Sequence, residues 1–274
     1  MSSQRKEIQG LLKLAVEAAH AAGLVLRKNY GRVQQIDYKD ATGHEINPVT
    51  EIDRLAEETV LQVLRAHRPK DDILSEEQDL KRTGSSHLWI LDPLDGTVNY
   101  AHAYPRFCVS LALLLEGKRS VGVIYDPMME ELFTAARGEG AQLNGQTIHV
   151  SPIQELKRSL VCSGFAYDRR ERAAFYLSFF KAFIERTHGV RRDGSAALNL
   201  AYTAAGRFEG FWEFGLSPWD IAAGCLLVEE AGGRITNMAG GPCELDGKEI
   251  LASNGLIHEP MISVISEVLS AWSA

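Results

Sequence analysis

Leu88-Trp89-Ile90-Leu91-Asp92-Pro93-Leu94-Asp95-Gly96-Thr97 decides how this chain is read. The apolar run at 88–91 predicts a buried strand. Two carboxylates three residues apart then leave its end. Pro93 between them lacks an N–H and opposes a continuing helix or central strand. Gly96 permits a tight turn and close backbone approach to a ligand. Two acids and a hydroxyl are thereby set at one rim of a sheet. Such a rim suits a hard divalent cation holding a phosphate.

Working outward, the chain has 274 residues, 45% hydrophobic and 24% charged, which allows one large domain or two intimate ones. The net charge of −7 opposes a general nucleic-acid or membrane surface. Cys108, Cys162, Cys225 and Cys243 form no C-x-x-C pair and read as buried free thiols. No signal-peptide core is evident, and no apolar run approaches the roughly 20 residues of a membrane helix. The expectation is a cytoplasmic protein.

Apolar spacing from Ile8 to Leu26 predicts a long helix with Gly31 as its stop. Gln34 to Pro48 reads as a mobile loop. Thr50 is placed to cap a second helix with Asp53 and Glu57 in its early turns and Ile52, Leu55, Val63 and Leu64 on its apolar face. Strand-like runs follow at 72–74, 88–91, 107–115, 120–125 and 131–135. Beyond Ser151-Pro152, strands at 159–163, 207–213, 233–236 and 249–252 alternate with helices at 170–186, 195–206, 219–231 and 258–272. This alternation predicts layered α/β packing. The change of pattern divides the chain into 1–150 and 151–274.

Asp53, Glu76, Asp92, Asp95 and Asp220 each fall at a strand end or helix start, where loops converge in an α/β layer. Taken singly, Asp53 and Asp220 are ordinary first-turn helix residues, and Glu76-Glu77 is a solvated pair. A strand running into D-P-L-D-G-T has few structural uses, and loop acids on a rigid scaffold tend to be functional. Carboxylates without histidine or cysteine nearby favour Mg²⁺, or Mn²⁺, over zinc. Two ions about 4 Å apart can clamp a phosphoryl group and activate water. The chain lacks G-x-x-x-x-G-K-[ST], G-x-S-x-G and H-E-x-x-H. The aspartates also miss the D-x-D spacing of phosphatases that form an aspartyl phosphate.

Separated segments resemble the inositol monophosphatase family of lithium-sensitive, magnesium-dependent phosphatases, in its bacterial form. They are Asp92-Pro-Leu-Asp-Gly-Thr-Val-Asn99, Trp219-Asp220-Ile-Ala-Ala-Gly224 with Glu229-Glu-Ala-Gly-Gly233, Ile73-Leu-Ser-Glu-Glu77, and Gly194-Ser-Ala-Ala-Leu-Asn199. Ser75 stands where the family often has glycine, and Val98 where a second threonine is common. The resemblance implies a layered αβαβα sandwich of the sugar-phosphatase type and a homodimer. It implies Glu76, Asp92, Asp95 and Asp220 as metal ligands with the Leu94 carbonyl, for two to three Mg²⁺. Asp53 and Thr97 would orient and deprotonate the attacking water, with Glu76 assisting through a metal-bound water. Gly96 and Thr97 would hold phosphate, and Asp95, Gly194, Ser195, Ala196 and Glu213 would complete the substrate site.

The implied activity is hydrolysis of a small phosphorylated polyol or sugar, first an inositol monophosphate. Fructose 1,6-bisphosphate, histidinol phosphate and 3′-phosphoadenosine 5′-phosphate are alternatives. Gly194–Gly206 and Pro218–Gly233 also resemble bacterial members that partner the transcription or ribosome-assembly machinery, so a non-catalytic role is the remaining alternative.

Overall fold

A computed structural model describes residues 3–33, 36–39, 48–78, 80 and 82–273. In chain order its elements are α1 (Ser3–Asn29), β1 (Ile36–Tyr38), β2 (Pro48–Thr50), α2 (Glu51–His67), β3 (Asp72–Ser75), β4 (His87–Asp95), α3 (Thr97–Ala101), β5 (Cys108–Leu115), β6 (Lys118–Asp126) and β7 (Glu131–Ala136). There follow β8 (Ala141–Leu143), β9 (Gln146–Ile148), β10 (Leu160–Ser163), α4 (Ala173–Ile184), β11 (Gly189–Arg191), α5 (Ala196–Ala204), β12 (Gly210–Phe214), α6 (Pro218–Glu230), β13 (Arg234–Thr236), β14 (Glu249–Ser253) and α7 (His258–Ser273).

Strands β3 to β9 form one sheet in sequence order, and a second sheet runs β11-β10-β12-β14-β13. The central strands of the first sheet bury both faces, which is why they read as continuous apolar runs. Trp89 and Leu91 of β4 face α1 and α2, whereas Ile90 faces α5 and α6. In β5, Val109, Leu111 and Leu113 alternate in the same way with Cys108, Ala112 and Leu114. The second sheet's β12 and β14 close the far side of the α5–α6 layer, and α4 and α7 cover their outer face. The layers therefore run α1/α2, first sheet, α5/α6, second sheet, α4/α7: an αβαβα sandwich.

Several sequence expectations change. β4 continues through Pro93 to Asp95, with a break in its pairing to β5 between Asp92 and Asp95. The irregularity accommodates the proline, because β3 pairs with β4 only as far as Leu91. The segment read as a mobile loop contributes β1, which pairs with β2; residues 34–35 and 40–47 lie outside the described residues. Leu55 is exposed, and α2 instead buries Ile52, Ala56, Val60, Leu61 and Leu64. β8, β9 and β11 are short strands that the apolar pattern did not mark individually. Among the described residues Arg5–Asn29 is a helix long and apolar enough to cross a membrane, contrary to the sequence expectation. Its Leu11, Ala15, Ala18, Ala22 and Leu26 pack in the layer with α2 and the sheet.

Glycine sets how closely α6 approaches the first sheet. A Cβ at Gly122 on β6 would lie 2.8 Å from the Ala223 carbonyl oxygen and 3.2 Å from its Cα. Backbone cannot swing aside as a side chain can, so Gly122→Ala should push α6 outward at a cost of about 1–3 kcal/mol. Thermal unfolding should show a fall of about 3–6 °C. An unchanged melting temperature would mean that the helix does not seat on this glycine.

Candidate active site

The acids predicted from sequence converge because each sits where an element ends. Glu76 follows β3, Asp92 and Asp95 close β4, and Asp220 lies in the first turn of α6. All four line one cavity of about 310 Å³, together with Leu94, Gly96, Thr97, Gly194, Ala196 and Glu213. Two predicted residues stand behind this wall. Ser195 is 1% exposed and Asp53 is 1% exposed, and each touches a cavity residue.

Asp53 is fixed by the cap of α2. The Thr50 N–H donates to its Oδ2 at 2.8 Å, and the Thr50 hydroxyl donates to the same oxygen. Its other oxygen, Oδ1, accepts from Thr97 Oγ1 at 3.0 Å. Thr97 Oγ1 also lies 3.1 Å from the Leu94 carbonyl oxygen. Gly96 makes the turn before Thr97 at φ 102°, where a Cβ would meet the Arg106 carbonyl oxygen at 2.8 Å. No other residue fits both the angle and the space.

Ser195 caps α5 and serves Asp95. Its hydroxyl donates to Asp95 Oδ2 at 2.5 Å and accepts from the Leu198 N–H at 3.2 Å, while the Ala197 N–H reaches the same Asp95 oxygen at 2.7 Å. Asp220 Oδ2 accepts from the Ser217 N–H at 2.7 Å, so the ordinary helix-start role and the cavity position coexist. Asp92 Oδ1 accepts from the Leu94 N–H at 2.9 Å.

These carboxylates repel one another in a poorly solvated place. Burial, then the charges of Glu76, Asp95 and Asp220, push Asp92 well above the usual carboxylate range. Burial pushes Asp95 up to about 6 against its hydrogen bonds from Ser195 and Ala197. Asp220 is open to the cavity yet enclosed by protein, and burial, then Glu76 and Asp95, raise it as well. Burial also raises Asp53, with the Thr50 hydrogen bonds working the other way. An all-oxygen set of mutually repelling carboxylates fits Mg²⁺ or a similar hard cation, which would relieve the repulsion. Among the described residues no three acidic, histidine or cysteine side chains are already drawn into one coordination shell. Glu76 instead turns to Lys39, whose Nζ lies 2.7 Å from Glu76 and 2.6 Å from Glu77. Burial works against the Lys39 charge, but the two carboxylates more than offset it and raise its pKa. Glu77 is therefore not the solvated residue expected; its side chain is 4% exposed and burial pushes it up to about 7.

The amino-acid sequence of residues 7–270 matches the model of the inositol monophosphatase family. The chain belongs to that family. With it, the chain is a phosphoric monoester hydrolase of a metal-dependent kind. An inositol-1-monophosphatase of Synechocystis sp. is 42% identical over 95% of this chain and 90% of its own length. The Nus factor SuhB of Escherichia coli K12 is 39% identical over 95% of this chain and 97% of its own. An inositol monophosphatase structure from Anabaena superposes with a TM-score of 0.86 at 45% identity, covering 97% of this chain and all of that one. A more distant structure, an IMPase/NADP phosphatase complexed with Mg²⁺ and phosphate, superposes at 0.81 with 26% identity over 94% of this chain and 95% of its own.

Several cavity residues escaped the sequence reading. Gly164 makes room for Glu213, whose carboxylate oxygens would lie 2.0–2.2 Å from a Cβ there. Phe165, Tyr167, Arg169 and Arg192 also line the cavity. Arg192 lies two residues before the quoted Gly194 segment and was findable. The Phe165–Arg169 loop carries no spacing signal. Asn199, quoted but unassigned, also lines the cavity, with a buried Oδ1 that has no hydrogen-bond partner.

A raised carboxylate pKa means that the folded metal-free protein binds protons more tightly than the unfolded chain. Its stability is therefore lost as pH rises from the unfolded value through the folded one. Asp92→Asn removes one repelling charge and keeps an oxygen for the Leu94 N–H. In EDTA at pH 7.5 the variant should melt about 3 °C or more above wild type, and the gap should close near pH 4.5. Mg²⁺ should raise the wild-type melting temperature and shift the variant far less. A variant that melts lower at pH 7.5, with an undiminished Mg²⁺ shift, would contradict the clustering.

Proposed function

We propose that this protein hydrolyses an inositol monophosphate by direct in-line attack of water, using two to three Mg²⁺, with Mn²⁺ as a substitute. The observation that carries the reading is Thr97 Oγ1, set between Asp53 Oδ1 and the Leu94 carbonyl on the wall of an acid-lined cavity. In this reading Glu76, Asp92, Asp95, Asp220 and the Leu94 carbonyl hold the ions. Bound Mg²⁺ would supply charge neutralisation and make a water acidic enough to attack near neutral pH.

The chain's own residues do the rest. Thr97 donates its proton to Asp53, so its lone pairs are left to accept from an attacking water and aim it. Asp53 Oδ2 is held by Thr50, which leaves Oδ1 to take the proton passed through Thr97. Burial raises its pKa, which makes it a stronger base than an ordinary carboxylate. The N–H groups of Gly96 and Thr97 hold phosphate directly; the five-residue helix α3 is too short to add much dipole. Glu213 accepts hydrogen bonds from substrate hydroxyls beside Gly194 and Ala196. Residues 1–150 and 151–274 are read as two parts of one catalytic unit, active as a homodimer.

The SuhB relatives motivate a second reading, a partner of the transcription machinery. Pull-down of RNA polymerase and elongation factors with an Asp95→Asn variant separates the two readings, since a scaffold survives loss of catalysis.

For the enzyme, Thr97→Val should lower kcat by about a hundredfold or more, with Thr97→Ser retaining much of it. Hydrolysis in ¹⁸O-water should place one label in the released phosphate. Phosphate trapped on Asp92 or Thr97 would overturn direct attack. Phosphate release across a panel of inositol, sugar and nucleotide phosphates tests the substrate assignment; a strong preference for a nucleotide would sink it.

Li⁺ is small and hard like Mg²⁺ but carries half the charge. It should inhibit turnover where Na⁺ at equal ionic strength does not. Matching rates in LiCl and NaCl would refute a cation site that Li⁺ can enter.

A further inference from the structure

Glu57 lies fully buried one turn beyond Asp53 on α2. Residues four apart share a helix face, so one stripe of α2 carries both carboxyl groups. Among the described residues Glu57 forms no salt bridge. Its two oxygens are taken instead by one short segment of chain. Oε1 accepts from the Ser75 hydroxyl, and Oε2 accepts from Gln78 Nε2 at 2.6 Å. Ser75 ends β3 and is itself buried. A glycine there would offer no such donor. The two donors flank Glu76 and Glu77 in the chain.

A buried carboxyl group costs folding free energy unless its oxygens are hydrogen-bonded. A side chain needed only to fill this space would be better apolar. What Glu57 adds is a tie from both ends of the 75–78 segment to a rigid helix. The sheet ties the same segment from another direction, because the Glu76 N–H donates to the Leu91 carbonyl at 3.2 Å. Leu91 precedes Asp92, so this bond sets Glu76 beside the acid-bearing end of β4. The main chain at Glu76 is thereby pinned between α2 and β4, while its side chain lines the cavity.

We propose that Glu57 is a positioning residue for the cation site. Through Ser75 and Gln78 it sets where the Glu76 carboxylate stands relative to Asp92, Asp95 and Asp220. The proposal rests on the metal reading of those acids given above. Partners that orient a metal ligand from behind commonly change metal affinity by about 10–100-fold when removed. Asp53 shares the helix, so α2 holds the proton acceptor and a metal ligand from one rigid element.

The test is isothermal titration of Mg²⁺ onto the full-length protein without substrate, with circular dichroism to establish that each variant is folded. Glu57→Leu and Ser75→Ala should each weaken Mg²⁺ binding by about tenfold or more. Ser75→Ala removes only a hydroxyl and answers the question if Glu57→Leu does not fold. The double variant should bind no more weakly than Glu57→Leu alone, because the Ser75 hydroxyl acts through Glu57. Glu57→Gln keeps an acceptor for Ser75, and its amide can pair with that of Gln78, so it should stay within about threefold of wild type. A merely structural role would lower the melting temperature in EDTA and leave the Mg²⁺ Kd of the folded protein unchanged; that result overturns the proposal. Binding by Glu57→Gln as weak as by Glu57→Leu overturns it too, since Glu57 would then act by its charge. Wild type that binds no Mg²⁺ fails the cation reading itself and takes the proposal with it. Wild type that binds Mg²⁺ no better than Ser75→Ala and Glu57→Leu overturns the positioning alone.

Discussion

The hydrogen bonds that Asp95 accepts from the start of α5 are the contact on which the cavity depends. Asp95 closes a strand of the first sheet, whereas Ser195 and Ala197 open a helix in the layer between the sheets. One carboxylate oxygen receives both donors in a place where water is largely excluded, so each bond counts for more than it would at the surface. This fixes the edge of the first sheet relative to α5. α6 then packs beside α5 and on β6 through Gly122, which brings Asp220 to the other acids. The cavity is the gap left where these contacts meet.

Assembling the acids has an electrostatic cost, and the surrounding contacts show how it is met. Each cavity aspartate is tied by at least one N–H donor from a turn or helix start, which favours its charged form. Burial and neighbouring charge work in the other direction and prevail at Asp92, Asp95 and Asp220. Lys39 supplies positive charge on the Glu76–Glu77 side. Arg169 and Arg192 also line the cavity, and among the described residues they form no salt bridge with these acids. The cavity lining therefore carries both carboxylates and two arginines.

Much of this was legible in the chain. Apolar runs at 88–91 and 107–115 marked the central strands because both faces of that sheet are covered. Thr50 and Asp53 marked the start of α2 through a capping pattern that the backbone uses directly. D-P-L-D-G-T marked the site because a proline and a glycine flanking acids restrict the backbone in ways few folds need. Pro93 was read too strongly. It stays inside β4 because the neighbouring strand has ended and the pairing shifts around it, which depends on the partner strands rather than on the proline. Lys39 was passed over because its segment is polar and turn-rich, and nothing local says that it reaches Glu76.

Residue types and local spacing determined the layered α/β class, the identity of the acids and the hard-cation chemistry that they imply. These follow from short-range constraints: periodicity, capping, and backbone angles at proline and glycine. Tertiary structure alone decided which acids share a cavity, that Ser195 and Asp53 stand behind its wall, and that Arg169 and Arg192 line it too. Such facts depend on elements distant in sequence meeting at set distances. Gly164 shows the limit well: its lack of a side chain matters only because Glu213, on β12, occupies the space.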